Sequence, residues 1–309
     1  MKLPLSRAKA IVAVLPEPTS RVELPPEYRS DLRLNKLCEA EDFRNLTLLD
    51  VMRRVFSHLS EALGPTWPAG QEQRKLWEVA MAVLTLERCG KMNSDALILG
   101  VGAGVETTTF YLTNFVRQVF ATDLYANPNE WTGDAPPTML TDPASLSPIP
   151  CNPRRLVVQH MDGRKLLYED GMFDAVYSSS SIEHFGDWAD VSAAAHEIGR
   201  VLKPGGILTL STEYRVRGSG RGLPNVLMFS ADEFRSLIIE PSGLQPIDEP
   251  RFDISPLTMQ TIVTQKEMDE FYLEYNAGRP AQWKTFPQIV LETGEYRWTS
   301  FHLALMKPL

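Results

Sequence analysis

Cysteine is scarce. Cys38, Cys89 and Cys151 are odd in number, far apart in the chain and without zinc spacing. They exclude a disulfide framework and any cysteine-based metal site, and they read as reduced thiols of a cytoplasmic protein. No apolar run is long enough to span a bilayer, so no membrane partner is expected. Within Met1–Leu15 the apolar part, Ala10-Ile-Val-Ala-Val-Leu15, is too short for a secretory signal, and no small-residue cleavage site follows it. A basic excess is missing as well. Thirty-one Lys and Arg stand against 39 Asp and Glu, a formal charge of −8, which argues against a nucleic-acid partner. Repeats and low-complexity segments are absent. What is present, 309 residues of which 43% are hydrophobic and 23% charged, suits one large globular core.

The chain is organised around Asp95-Ala-Leu-Ile-Leu-Gly-Val-Gly-Ala-Gly104, followed by Val105-Glu106. Ala96–Leu99 is apolar without alternation, as in a strand buried on both faces of a parallel sheet. Gly100, Gly102 and Gly104 come next, and then Phe110, Leu112, Phe115, Val116 and Val119 recur at roughly helical spacing. Strand, glycine turn and helix make a cradle. Backbone without side chains lets a ligand approach, and a helix N-terminus favours negative charge. The G-x-G-x-x-G of dinucleotide sites fails, because the third position falls on Val105 or Thr107 in the two registers. That spacing disfavours an NAD-dependent enzyme.

Before the cradle, Pro4, Pro16, Pro18, Pro25 and Pro26 mark residues 1–45 as an arm lying across the body. Leu48, Val51, Met52, Val55, Phe56, Leu59 and Leu63 predict an amphipathic helix, and Leu76, Val79, Ala80, Val83 and Leu84 predict a second. The start of the second, Arg74, Lys75 and Trp77, either touches the ligand or forms a solvated face with a packed tryptophan. The division expected is an arm and helix over 1–70 and a main domain over 71–309 with an insertion at about 248–297.

After the cradle, Gln118–Asp123 predicts a second strand, ending in an acid where a carboxylate accepts both hydroxyls of a ribose. Tyr125–Pro153, with Trp131 and several prolines, reads as a short helix with an elaborated loop over the site. Leu156–His160 runs into Met161-Asp162-Gly163, and Phe173–Ser178 into Ser179-Ser-Ser-Ile-Glu183-His184-Phe185. Asp187 and Asp190 suit helix caps. Lys203-Pro-Gly-Gly206 turns into a strand at Ile207–Ser211, and Ser230-Ala-Asp-Glu233 is a capping box. Gly243–Ile247 and Ser300–Met306 are the last strands expected. Strands alternating with helices imply a doubly wound parallel α/β sheet.

Taken in order, the glycine turn, Asp123, Met161-Asp162, Phe173-Asp174-Ala-Val-Tyr-Ser178, Ile182-Glu183-His184 and Arg200-Val-Leu-Lys-Pro-Gly-Gly206 resemble the class I S-adenosylmethionine-dependent methyltransferases, type 11-like, over roughly Ala96 to Leu210. The resemblance implies a Rossmann-like seven-stranded sheet of order 3-2-1-4-5-7-6 with strand seven antiparallel, and S-adenosyl-L-methionine as cofactor. It implies a cofactor site of Gly100, Gly102, Gly104, Asp123, Leu124, Met161, Asp162 and Gly163, with the Asp162 carboxylate facing the exocyclic amine of the adenine and Ser178 and Ser179 as small residues beside the cofactor. Two departures touch the methionine pocket. The family usually has an acid where Gly100 stands and often a third glycine where Glu106 stands. Glu106 either supplies the missing carboxylate or is a first-turn acid favoured by the helix dipole.

A sulfonium methyl is already an electrophile, so the protein chiefly aligns an acceptor and excludes water. For an oxygen acceptor, His184 is the catalytic base expected, with Glu183 beside it. The competing role for this pair is to hold the loop. Glu213 and Tyr214 are further acceptor-pocket candidates. Phe252, Phe271, Tyr272, Tyr275, Trp283 and Phe286 of the insertion either cap the acceptor or pack. His58, His196 and His302 look structural, His160 packs near the adenine loop, and no G-x-S-x-G elbow surrounds Ser178–Ser181. The function expected is methyl transfer to a small-molecule acceptor, most readily onto oxygen. The alternatives are a protein or sugar-chain acceptor, or a binding module without catalysis.

Overall fold

The computed structural model describes residues 20–29, 32–127, 134–277, 279 and 281–309. Met1–Leu15, with Pro4, and the residues Pro16, Pro18 and Trp131 lie outside the described residues. Five strands supply the parallel half of the main sheet: β1 (Leu97–Val101), β2 (Gln118–Asp123), β3 (Leu156–His160), β4 (Phe173–Ser179) and β5 (Leu202–Arg217). Three more follow: β6 (Ile262–Thr264), β7 (Val290–Thr293) and β8 (Tyr296–Met306). Their spatial order is β6-β7-β8-β5-β4-β1-β2-β3. From β3 to β5 all neighbours are parallel, and β8 runs antiparallel to β5. This is the doubly wound, Rossmann-like order 3-2-1-4-5-7 of class I methyltransferases.

The position expected of strand six is divided. Gln245–Pro246 pairs with β8 only at Met306 and Leu305, Lys36–Leu37 takes its middle, and β7 takes its start. The segment expected at Gly243–Ile247 therefore contributes two strand residues. Asn35 secures the arrangement, its amide donating to Asp248 Oδ1 at 2.9 Å and to the carbonyl of Ala304 at 3.1 Å. The fifth strand is longer than Ile207–Ser211 because its ladder with β8 runs from Ile207 to Arg217.

Helices α1 (Leu46–Val55) and α2 (Ser57–Leu63) replace the single helix expected there. The break falls at Phe56, whose φ of −107° and ψ of 45° leave the helical region. Its ring packs edge-on against Trp67 at 6.0 Å between centroids. α3 (Arg74–Arg88) then crosses one face of the sheet over β4, β5 and β8, burying Trp77, Ala80, Val83 and Leu84. The cradle helix α4 is one and a half turns, Thr107–Leu112. Val119 belongs to β2, within the strand expected at Gln118–Asp123, because Val116 and Val119 fill the core under the sheet, and residues 113–117 make the turn.

On the opposite face, α5 (Trp188–Val201) is capped as expected by Asp187, whose Oδ1 accepts from the N–H groups of Ala189 and Asp190. A Cβ on Gly199 would lie 1.9 Å from the carbonyl oxygen of Ser242, so this glycine lets the following helical segment pack against α5. That segment opens with α6 (Ala231–Phe234), whose capping box at Ser230 and Glu233 is formed. Past β6, α7 (Gln265–Asn276) lies over the carboxyl edge of the central strands, the edge at which open α/β sheets hold ligands. No described helix is long and apolar enough to cross a membrane.

Candidate active site

The carboxyl ends of β1, β2 and β4 open into one cavity of about 1190 Å³. Its first wall is the glycine turn. Gly102 (φ +63°) and Gly104 (φ +47°) hold left-handed conformations that a glycine adopts freely. A Cβ on Gly102 would meet Ser181 at 2.5 Å, and Ser181 Oγ donates to the Gly102 carbonyl at 2.6 Å. At the end of β2, Asp123 accepts from the Gly104 N–H at 2.9 Å and from the Leu124 N–H at 2.7 Å. Two backbone donors thus fix the carboxylate at the cavity wall. Glu106, 5% exposed, lies in the wall at the start of α4.

The loop after β3 adds Met161, Asp162 and Gly163. A Cβ on Gly163 would lie 2.7 Å from the ring of Phe185, so this glycine lets the aromatic side chain close over the loop. Asp162 is engaged by Arg164 through both carboxylate oxygens. Hydrogen bonds from Arg164 hold its carboxyl below the usual range. The expectation that this carboxylate faces a purine amine is therefore modified. Most of its accepting capacity goes to its own loop, and a purine amine would share what remains.

The polar floor comes from the start of α3 and from β4, β5 and β8. Arg74 Nη1 donates to both oxygens of Glu213 at 2.9 and 2.8 Å and to Ser300 Oγ at 2.8 Å. Lys75 Nζ reaches Glu213 at 3.1 Å and Glu78 at 3.1 Å. Burial alone would raise the Glu213 carboxyl, but the Arg74 guanidinium and the Lys75 ammonium overcome it and hold the group at about 2. Glu183 behaves oppositely. Burial raises its carboxyl, and its Oε2 accepts from Thr212 Oγ1 at 2.7 Å. His184 Nδ1 sits 2.7 Å from the Asn225 carbonyl, which can only accept, so that nitrogen carries the proton. Its Nε2 lies 4.0 Å from Glu183 Oε1.

The rest of the lining mixes apolar side chains with polar ones such as Gln73, Gln282 and Gln288. Leu59, Leu63 and Trp67 come from the N-terminal helices and the loop after them, and Phe271, Tyr272 and Trp283 from the insertion. Phe271 and Trp283 stack face to face at 3.9 Å and 6°. Tyr272 lies close enough to Arg74 and Lys75 to feel their charge, which joins the apolar wall to the polar floor. His58 and Trp67 line the same region, each with a buried ring N atom that has no hydrogen-bond partner.

Of the residues expected at the site, the cavity brings together Gly102, Gly104, Glu106, Asp123, Leu124, Met161, Asp162, Gly163, Ser179 and His184. Gly100, Ser178 and Glu183 lie behind its wall. Gly100 packs against Tyr177: a Cβ there would lie 2.4 Å from the Tyr177 ring, whose hydroxyl bonds Thr109 Oγ1 at 2.6 Å. Tyr177 thus fills the space above the position where the family carries its acid. Glu213 joins the floor, while Tyr214 stacks on Phe252 in the core at 5.5 Å. Arg74 and Lys75 are at the cavity, and Trp77 is buried, donating to Asp42 at 2.9 Å. Buried His302 is structural, bonded to Thr209 and to the Leu34 carbonyl. The sequence reading missed Glu78 and Ser180. Glu78 carried no local signal of its own, and Ser180 was one of four serines with nothing to single it out. Among the described residues no group of three or more His, Cys, Asp or Glu side chains forms a metal site.

Residues 99–210 match the methyltransferase domain family. A curated relative, 27-O-demethylrifamycin SV methyltransferase of Amycolatopsis mediterranei, is 34% identical over 118 residues, which is 34% of this chain and 40% of that protein. The chain thus matches less than half the length of that relative. Among solved structures, a phosphoethanolamine N-methyltransferase of Haemonchus contortus is 17% identical, with a TM-score of 0.48, over 86% of this chain and 61% of that one. The [4+2]-cyclase SpnF is 19% identical, with a TM-score of 0.49, over 75% and 84%. The segment 99–210 is a methyltransferase domain.

Proposed function

We propose that this chain, a methyltransferase by its 99–210 domain, moves a methyl group from S-adenosylmethionine to an oxygen of a bulky, largely apolar small molecule. One observation carries the reading. A single cavity joins the glycine turn and the Asp123 carboxylate to a polar floor and an aromatic wall, in a volume of about 1190 Å³. That exceeds the roughly 300–1,000 Å³ of a pocket for one drug-sized ligand. The cofactor supplies an electrophilic sulfonium methyl.

The donor set fits such a cofactor. Asp123, its carboxylate held at the cavity wall by backbone N–H groups, supplies an anionic acceptor for ribose hydroxyls. Gly102 and Gly104 leave backbone open to close approach, and Ser179 Oγ is buried without a hydrogen-bond partner at the wall. Glu106, in the same wall, is placed to receive the amino group of the methionine part. The aromatic wall of Phe271, Tyr272 and Trp283 excludes water and holds an extended apolar acceptor, while the polar floor accepts a hydroxyl. The printed name of the Amycolatopsis relative, a methyltransferase of an O-demethyl compound, agrees with oxygen as the acceptor atom. We place the protein in the cytoplasm and expect neither nucleic-acid nor membrane partners.

Calorimetric titration with S-adenosylhomocysteine and, separately, with NAD tests the cofactor. The expected result is tight binding of the first and none of the second. Binding of NAD alone would refute the reading. Tight binding of S-adenosylhomocysteine without turnover on hydroxylated polycyclic acceptors would favour a binding module.

A further inference from the structure

Ser180 is held in a conformation that its side chain disfavours. It follows β4 directly, with φ +47°. That left-handed region is strained for an L residue and open to glycine. The side chain that sits there nevertheless reaches the cavity wall. Ser180 Oγ accepts a hydrogen bond from Lys75 Nζ and donates one to Glu78 Oε2 at 2.7 Å. A hydroxyl accepts twice and donates once, so one accepting position remains for a group in the cavity.

Glu78 is 1% exposed, and its other oxygen is held by Ser300 Oγ, Arg74 and Lys75. Its Oε2, at the cavity wall, accepts from Ser180 Oγ and from Lys75 Nζ at 3.4 Å, and Ser180 is the neutral hydroxyl through which a proton can reach it. Glu213, the other carboxylate of the floor, is fully engaged by Arg74 and Lys75.

We propose, resting on the oxygen-methyltransferase reading above, that Ser180 takes the acceptor's hydroxyl proton while passing its own to Glu78, with Lys75 fixing the serine hydroxyl between them. The acceptor oxygen forms its bond to the methyl carbon as the carbon–sulfur bond breaks, and that electron pair stays on the sulfur of the sulfonium donor. The hydroxyl proton moves to Ser180 Oγ and the Ser180 proton to Glu78 Oε2. The pair from the broken O–H bond stays on the newly methylated oxygen. Sulfonium and carboxylate enter with opposite charges, and thioether and carboxylic acid leave neutral. Ser180 is then the catalytic residue, and Glu78 the store for the proton.

Ser180→Gly isolates the hydroxyl, because glycine adopts φ +47° without strain and the fold is retained. Binding is read by fluorescence with S-adenosylhomocysteine bound, using 2-hydroxyanthraquinone and anthraquinone as probes. Turnover is read as S-adenosylhomocysteine release from 2-hydroxyanthraquinone. The wild type binds the hydroxylated probe tighter than its parent by about five- to tenfold, the worth of one hydrogen bond, and Ser180→Gly erases that preference. Turnover by Ser180→Gly and by Glu78→Gln falls by about 10²–10⁴-fold each, and the double variant falls no further, because the two act in series.

Equal binding of the two probes by the wild type, additive losses in the double variant, or a His184→Gln variant that alone abolishes the acid limb of the rate profile would each overturn the relay. So would no wild-type turnover of 2-hydroxyanthraquinone while S-adenosylhomocysteine still binds, an outcome that leaves the cofactor site standing. Failure of S-adenosylhomocysteine to bind would instead bring down the underlying reading.

Discussion

Replacing Glu213 by glutamine tests the charge balance beneath the cavity. Burial would raise this carboxyl, but Arg74 and Lys75 hold it at about 2 against an ordinary 4.5. At ~1.4 kcal/mol per pH unit, the ionised Glu213 contributes about 3 kcal/mol to folding at pH 7. Because the folded-state value is the lower of the two, that stability is complete above pH 4.5 and is lost as pH falls toward 2. The substitution removes the contribution and leaves Arg74 and Lys75 sharing Glu78, so the loss at pH 7 is at least of that size. Urea unfolding of both proteins at pH 7, 5, 4 and 3 measures the gap. The expected gap is about 3 kcal/mol or more at pH 7, narrowing by ~1.4 kcal/mol per unit below pH 4.5. A gap of constant size across that range would refute the claim that the two cations set the state of Glu213.

Two further substitutions separate the cofactor wall from the packing behind it. Asp123→Asn removes the charge from the carboxylate proposed to accept ribose hydroxyls, and calorimetry is expected to show S-adenosylhomocysteine bound about 10- to 100-fold more weakly. An unchanged affinity would place the sugar elsewhere. Gly100→Ala drives a methyl group into the Tyr177 ring, 2.4 Å away, at a cost of about 1–3 kcal/mol seen as a lowered midpoint in thermal or urea unfolding. An undiminished midpoint would mean that Tyr177 yields without cost, and that the tight contact at Gly100 is not what selects glycine.

Local chemistry made much of the site legible. Gly102 and Gly104 announce a turn because few other residues hold left-handed backbone, and Asp123 follows at the end of the next strand. Asp187, Ser230 and Glu233 announced helix starts because a cap is satisfied within one turn of chain. Where reading failed, the deciding contact was distant. Phe56 breaks a helix of sound periodicity because its ring meets Trp67. Val119 leaves the helical pattern because the sheet core claims it. Gly100 packs against Tyr177, far along the chain, a contact that no local pattern announces.

From the sequence alone came the alternation of strands and helices, the glycine turn and the acid that follows it, all products of neighbours within a few residues. Only the tertiary structure brought Arg74, Lys75 and Glu78 on one helix against Ser180 just past β4, Glu213 on β5 and Ser300 on β8. No local pattern encodes that meeting. It arises because α3 lies across β4, β5 and β8, and charges buried there persist only where each finds its partner.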